Sequence, residues 1–210
     1  MVDLAVSERP VEGARLIGPN ALIQTAAALQ ALEPLAMPEI LEEAGESEVP
    51  AHPPEAMVDE RRFSRLACAV LKRLGAERTE RVMRLSGERT AEYLLANRIP
   101  VPFQWLVRRL PADLGLRLLL GAIGSHAWTF AGSGTFRYEL PGGGRVLLHI
   151  EGCPACRELA DQRPACGFYT GTFARLFREL IAPGMVVRPV PCPDGTGPCC
   201  AMLAQPNDEA

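Results

Sequence analysis

Residues 126–150 read His126-Ala-Trp-Thr-Phe130-Ala-Gly-Ser-Gly-Thr135-Phe-Arg-Tyr-Glu-Leu140-Pro-Gly-Gly-Gly-Arg145-Val-Leu-Leu-His-Ile150. Three aromatic or β-branched segments, His126–Phe130, Thr135–Leu140 and Arg145–Ile150, are separated by Gly132-Ser133-Gly134 and Pro141-Gly142-Gly143-Gly144. Short β-forming runs punctuated by glycine turns predict strands joined as hairpins. In the middle run Phe136, Tyr138 and Leu140 alternate with Thr135, Arg137 and Glu139, giving one buried and one wet face. Downstream, Pro164–Ala182 predicts a helix with Phe168, Phe173, Leu176, Phe177 and Leu180 on its apolar side. Val186–Val190 and Cys200–Leu203 then complete the sheet as a further hairpin.

Upstream the texture is helical. A loose arm is expected over 1–18, then a helix from Pro19 to about Leu32, with a shorter one over 35–43 ended by Gly45. The stretch 45–58, with Pro50, Pro53 and Pro54, reads as an exposed linker. Asp59 is placed to cap a helix over 60–74 that Gly75 would close, and a second helix over 77–97 carries Gly87 as a weak point. Phe103–Ile123 is leucine-rich and broken at Pro111, with Asp113 a candidate cap for the second piece. Helices first, then strands joined by short turns, make an α+β protein: an antiparallel sheet with one long packed helix. No internal repeat is visible.

At 210 residues, 48% hydrophobic and 22% charged, the chain fits one domain with a subordinate segment. A net charge of −3 leaves no basic footprint for nucleic acid. No apolar run reaches the length of a transmembrane segment, and Asp3 and Glu8 stand where a signal peptide needs a basic start, so a cytoplasmic protein is expected.

In that compartment the cysteines carry the chemistry, because reduced thiols there more often bind metal or act in redox than form disulfides. Six of the seven fall in three places: Cys153-Pro-Ala-Cys156, Cys166 before a helix, and Cys192 with Cys199-Cys200. Thiolates at a helix N-terminus and in tight turns suit a soft metal, zinc foremost and an iron–sulfur cluster as the alternative. The bland alternative is thiols packed as small hydrophobes, the reading that fits Cys68 on an apolar helix face. His149 reads as a sheet histidine, His126 has no identifiable partner, and His52 sits in the linker.

Four features in this order give a resemblance: the glycine-turned strands, Glu151-Gly-Cys-Pro-Ala, Pro-Ala-Cys166 opening a helix with Gly171, and Cys192-x7-Cys200 leading into an apolar strand. Together they resemble the 4-vinyl reductase domain family, over about residues 80–205, with a helical segment over 19–79 before it and a tail over 206–210. The resemblance implies a ligand-binding α+β fold related to a subunit family of vesicle-tethering complexes. It implies a part in bacteriochlorophyll synthesis at the stage of the 8-vinyl (older 4-vinyl) group of a chlorophyllide or protochlorophyllide precursor. Three roles are compatible with it: binding and delivering the tetrapyrrole, reducing its vinyl group, or assisting assembly without binding pigment. No GxGxxG between a strand and a helix is present for a nicotinamide or flavin, which favours the carrier.

Zinc-binding relatives of the family imply ligands at Cys166, Cys192 and Cys200. The family's glutamate position is Pro189 here, so the resemblance implies a fourth thiol from Cys153, Cys156 or Cys199. A pocket for a magnesium tetrapyrrole is expected among Leu118, Leu119, Leu120, Ile123, Trp128, Phe130, Phe168, Tyr169 and Phe173, with His126 as axial ligand. Arg137, Arg145 or the Arg108-Arg109 pair would meet the pigment's carboxylates. The partners implied are the pigment precursor, other enzymes of the pathway and a second copy of the chain, at a site peripheral to the photosynthetic membrane.

Overall fold

The computed structural model describes residues 15–159, 164–192 and 199–207. Its first half is helical. Helix α1 (Asn20–Leu32) follows Pro19, and α2 (Met37–Ala44) ends on Gly45, whose φ of 73° forms a left-handed cap. The arm expected over 1–18 is tied down at its end: β1 (Leu16–Ile17) pairs with β2 (Val58–Asp59), and Ile17 is fully buried. Residues 1–14 of that arm, and 208–210 of the expected tail, lie outside the described residues. Nor is the 45–58 stretch simply exposed. Glu46 and Val49 are buried, and Arg62 donates to the Glu46 carboxylate (Nε to Oε1, 2.9 Å), which satisfies the buried charge.

Helix α3 (Glu60–Asn97) begins as expected, with Asp59 Oδ1 accepting from the Arg61 N–H at 2.9 Å. Gly75 does not close it. With φ 71° and ψ 175° it makes a kink, and the helix resumes at once. After α4 (Val101–Arg109) the chain breaks at Leu110–Pro111 and continues as α5 (Ala112–Ser125). Asp113 lies in the first turn of α5 without capping it; its carboxylate accepts from the Gly144 N–H (2.8 Å) and so pins a hairpin turn.

The segment His126–Phe130 is not a strand. It closes α5 and forms α6 (Trp128–Ala131), with local backbone bonds such as Thr129 N–H to His126 O (2.9 Å) and Ala131 N–H to Ala127 O (2.8 Å). Five residues carry no period long enough to specify a ladder, and burial of Phe130 against neighbouring rings overrides their β preference.

The sheet therefore has four strands. β3 (Thr135–Gly142), β4 (Arg145–Glu151), β6 (Cys199–Pro206) and β5 (Met185–Val190) lie in the order β3-β4-β6-β5, all antiparallel. The register aligns Phe136, Ile150 and Cys200 in one row, and Tyr138, Leu148, Met202 and Pro189 in the next. These rows face α7 (Gly167–Leu180), which starts three residues later than the sequence predicts. α7 is held between the sheet and α3, and glycine sets that spacing. A Cβ on Gly171 would stand 2.2 Å from Arg84 O, and one on Gly87 1.9 Å from Phe168 O. Gly87, weak for a helix taken alone, is what lets α3 touch α7 backbone to backbone.

Candidate metal centre and aromatic seam

Four cysteines converge where the sheet meets the start of α7. Cys153 and Cys156 sit in the turn after β4, Cys166 holds the N-cap position of α7, and Cys200 lies on the inward row of β6. The Cys153 sulfur is 3.5 Å from that of Cys156 and 3.2 Å from that of Cys200. Cys156 is 3.1 Å from Cys200 and 3.4 Å from Cys166, and Cys166 and Cys200 are joined as a disulfide, where the sequence predicts reduced thiols, because their backbones stand close enough to bring the two sulfurs together. All four residues are buried. The Cys153 sulfur beside it, together with burial, pushes the Cys156 thiol well above its ordinary pKa. Burial, and then the neighbouring Cys153 and Cys156, pushes the Tyr169 hydroxyl up as well.

The cysteine turn is clamped to the first turn of α3. Ser64 Oγ donates to Pro154 O (2.6 Å), and Arg157 reaches Gly152 O (2.8 Å) and the fully buried Glu60 carboxylate. Glu60 also accepts from the Ser133 backbone N–H and hydroxyl, both at 2.7 Å. Sequence reasoning missed Glu60, Ser64 and Arg157. Their partners lie roughly 70 to 100 residues away, and no local pattern marks them.

This donor set fits a tetrahedral soft metal. Four thiolates at about 2.3 Å from zinc stand about 3.8 Å apart, so the sulfurs now 3.1–3.5 Å apart would spread slightly, while the Cys166–Cys200 bond would have to be reduced and its two sulfurs drawn well apart. With four sulfur ligands such a site is closed, suited to holding structure rather than substrate. Cys166 and Cys200 of the expected triad are in the cluster. Cys192 is paired with Cys199 as a disulfide instead, and the two thiols that join the cluster are Cys153 and Cys156, both among the candidates for the fourth ligand. Pro189 stands on edge strand β5 opposite Met202. Cys68 is half-buried, its thiol 3.8 Å from Glu158 O and raised in pKa chiefly by burial.

Beside the cluster an aromatic seam runs between α5–α6 and β3. Phe130 packs on Phe136 at 5.2 Å and on Phe173 at 6.3 Å, and Phe136 stacks on Phe173 at 5.8 Å with an interplanar angle of 8°. The Tyr169 hydroxyl donates to Phe130 O (2.9 Å). Phe130, Phe136 and Tyr138 are only partly buried, as are Leu118 and Ile123 of α5, whereas Leu119 and Leu120 are in the core. Trp128 is half-buried at the start of α6. Phe168 points the other way, against Phe63 of α3 at 5.0 Å.

His126 is exposed at the end of α5, its Nδ1 2.9 Å from Ser125 Oγ and 3.0 Å from Ala122 O. His149 lies on the opposite sheet face, between Arg137 and Ala201. Of the arginines expected at carboxylates, Arg137 pairs with Glu151 (3.6 Å), Arg108 with Glu179 (2.7 Å), and Arg145 Nε lies 3.4 Å from Gly142 O.

No family model matches the chain. Among solved structures, a mutant H-NOX protein of T. tengcongensis aligns with a TM-score of 0.56 at 12% identity, over 91% of this chain and 97% of that one. A structure described for heme distortion in the H-NOX family aligns at 0.55 and 12%, over 92% and 97%. An oxygen-binding H-NOX domain related to soluble guanylate cyclases aligns at 0.53 and 12%, over 91% and 96%. These likenesses show a shared α+β fold. The bacteriochlorophyll synthase 23 kDa chain of Cereibacter sphaeroides is 39% identical over 196 residues, 92% of each chain. Its namesake from Rhodobacter capsulatus is 36% identical over 194 residues, 91% of this chain and 87% of that one. At that identity, over nearly the whole of its length, the chain belongs to the bacteriochlorophyll synthase 23 kDa chain family.

Proposed function

We propose that this protein serves bacteriochlorophyll synthesis by binding a magnesium tetrapyrrole precursor at the stage of its 8-vinyl group and delivering it to the next enzyme. Membership of the family carries the reading as far as bacteriochlorophyll synthesis. The vinyl stage rests on the resemblance of its motifs to the 4-vinyl reductase domain. The aromatic seam supports a binding role. Phe130, Phe136 and Tyr138 are partly buried, the exposed His126 precedes Phe130 by four residues, and a flat macrocycle entering there would cover the three rings. H-NOX structures of the same fold are described by their heme or porphyrin, so the layout accommodates a tetrapyrrole in those proteins.

In this reading His126 is the axial ligand to magnesium, and Trp128, Phe130 and Phe173 line the seat. With the Cys166–Cys200 bond reduced, the four-cysteine cluster would hold one zinc that fixes α7 against β4 and β6 and keeps Phe173 in the seat with Tyr169 behind it, both on α7. Zinc supplies cross-linking there and no redox step.

The test is protein purified without oxygen, assayed for metal and spectrum and then mixed with divinyl chlorophyllide. About one equivalent of zinc, and stoichiometric pigment binding with the vinyl group intact, are the expected results. Reductant-dependent loss of the vinyl group with the protein alone would make it a reductase. A brown protein rich in iron would replace zinc by a cluster, and failure to bind pigment at all would leave an assembly role.

A further inference from the structure

We propose that the outward side of α4 docks this protein onto an anionic lipid surface. A helix on a globular protein turns polar residues to water and apolar residues inward. α4 does not. Its buried positions are Gln104 and Val107, while Val101 is 75% exposed, Trp105 56% and Leu106 43%. Val101 and Trp105 are one turn apart, as are Pro102 and Leu106, so the four share one side of the helix. Leu114, 52% exposed in the first turn of α5, extends the apolar surface across the short Leu110–Pro111 connection.

Charge chooses the occupant. The chain as a whole is acidic, yet residues 98–125 hold Arg98, Arg108, Arg109 and Arg117 against a single acid, Asp113. Asp113 is occupied by the Gly144 N–H, and Arg108 is bound to Glu179. Arg109 lies over the Trp105 ring at 4.5 Å, so its charge stands directly above the apolar side. Exposed tryptophan and aliphatic side chains with an arginine beside them are the composition that settles at the boundary between headgroups and acyl chains. A second copy of the chain would cover the apolar side equally well, but it would give the arginine excess no partner. Among the described residues no helix is long and apolar enough to cross a membrane, so the contact is an interfacial one.

The experiment is co-sedimentation of the full chain with vesicles of phosphatidylcholine alone and with one-third phosphatidylglycerol, at low and high salt. Binding is expected only to the anionic vesicles, weakening with salt and accompanied by a blue shift of tryptophan emission. The double variant Trp105→Ser, Leu106→Ser is expected to bind more weakly by roughly ten-fold or more. Arg109→Gln, which leaves the apolar side in place, is expected to cost about five-fold. All three substituted side chains are exposed, and unchanged circular dichroism and melting temperature confirm intact folding. No vesicle binding, or binding indifferent to both variants, overturns the proposal. So does self-association of the parent chain that the double variant abolishes without any vesicle binding, since that result assigns the surface to a second copy.

Discussion

Asp59 shows how one side chain sets an element and its acid sensitivity. Arg61, first through its side chain and then through its backbone N–H, holds the Asp59 carboxyl down to about 2. A depressed folded pKa stabilises fully above the unfolded value near 4 and is lost as the pH falls toward the folded one. Asp59→Ala is therefore expected to cost about 1 kcal/mol at neutral pH. That gap should close between about pH 4 and about pH 2, read by urea unfolding at each pH. The cysteines separate at the same scale. Cys156→Ser removes a sulfur at the centre of the four and is expected to abolish zinc retention. Cys192→Ser is expected to leave zinc content unchanged, because the Cys192 sulfur is not among the four that converge. Metal analysis of the two variants decides it, and equal zinc in both would move the site. The sequence displays six clustered thiols but no distances among them. Motif position points to Cys192 beside Cys166 and Cys200 and leaves the fourth thiol open among Cys153, Cys156 and Cys199, while the fold turns the Cys153–Cys156 loop inward through Glu60, Ser64 and Arg157.

Among the elements, the contact between α3 and α7 is the most demanding. Gly171→Ala drives a methyl to 2.2 Å from a backbone oxygen that cannot rotate away, and is expected to cost about 3 kcal/mol. Gly121→Ala in α5 meets nothing within 4 Å and is expected to stabilise by about 0.5–1 kcal/mol, since it only removes backbone freedom from the unfolded chain. Thermal melts of the two variants should move in opposite directions. Such a contact is invisible in sequence, where Gly87 reads only as a poor helix former. The hairpin over 135–150 was legible because period-two alternation and a glycine turn agree across sixteen residues. The segment 126–130 offered β propensity without length, and Gly75 offered a stop signal at what the packed chain makes a kink.

For the molecule as a whole, the four cysteines join the β4 turn, α7 and β6, while α1 and α2 lie on the other side of α3. Removing zinc with a chelator is expected to lower the melting temperature, because metal gathered on folding contributes about 10 kcal/mol in zinc-finger peptides. Amide exchange should rise first in β6 and the start of α7 and last in α1. A melt and exchange pattern unmoved by chelation would leave four packed thiols and no metal. The α+β class was readable from the order of elements alone. The seam was readable only as a set of aromatic residues, because Phe168 and Phe173, five apart on one helix, turn to opposite neighbours.

The glycine contact has a consequence for synthesis. α3 is complete at Asn97, but the helix that covers it ends at Leu180. At about 5–20 residues per second, α3 waits on the order of 4–17 s on the ribosome with Gly87 and the ring of Phe63 unmet by α7. Nothing made in the interval can substitute, since only a backbone with glycine opposite Arg84 fits that close. Nascent chains halted before Gly167 are therefore expected to pellet from a translation reaction more than the full chain does, and equal solubility of the two would remove the argument.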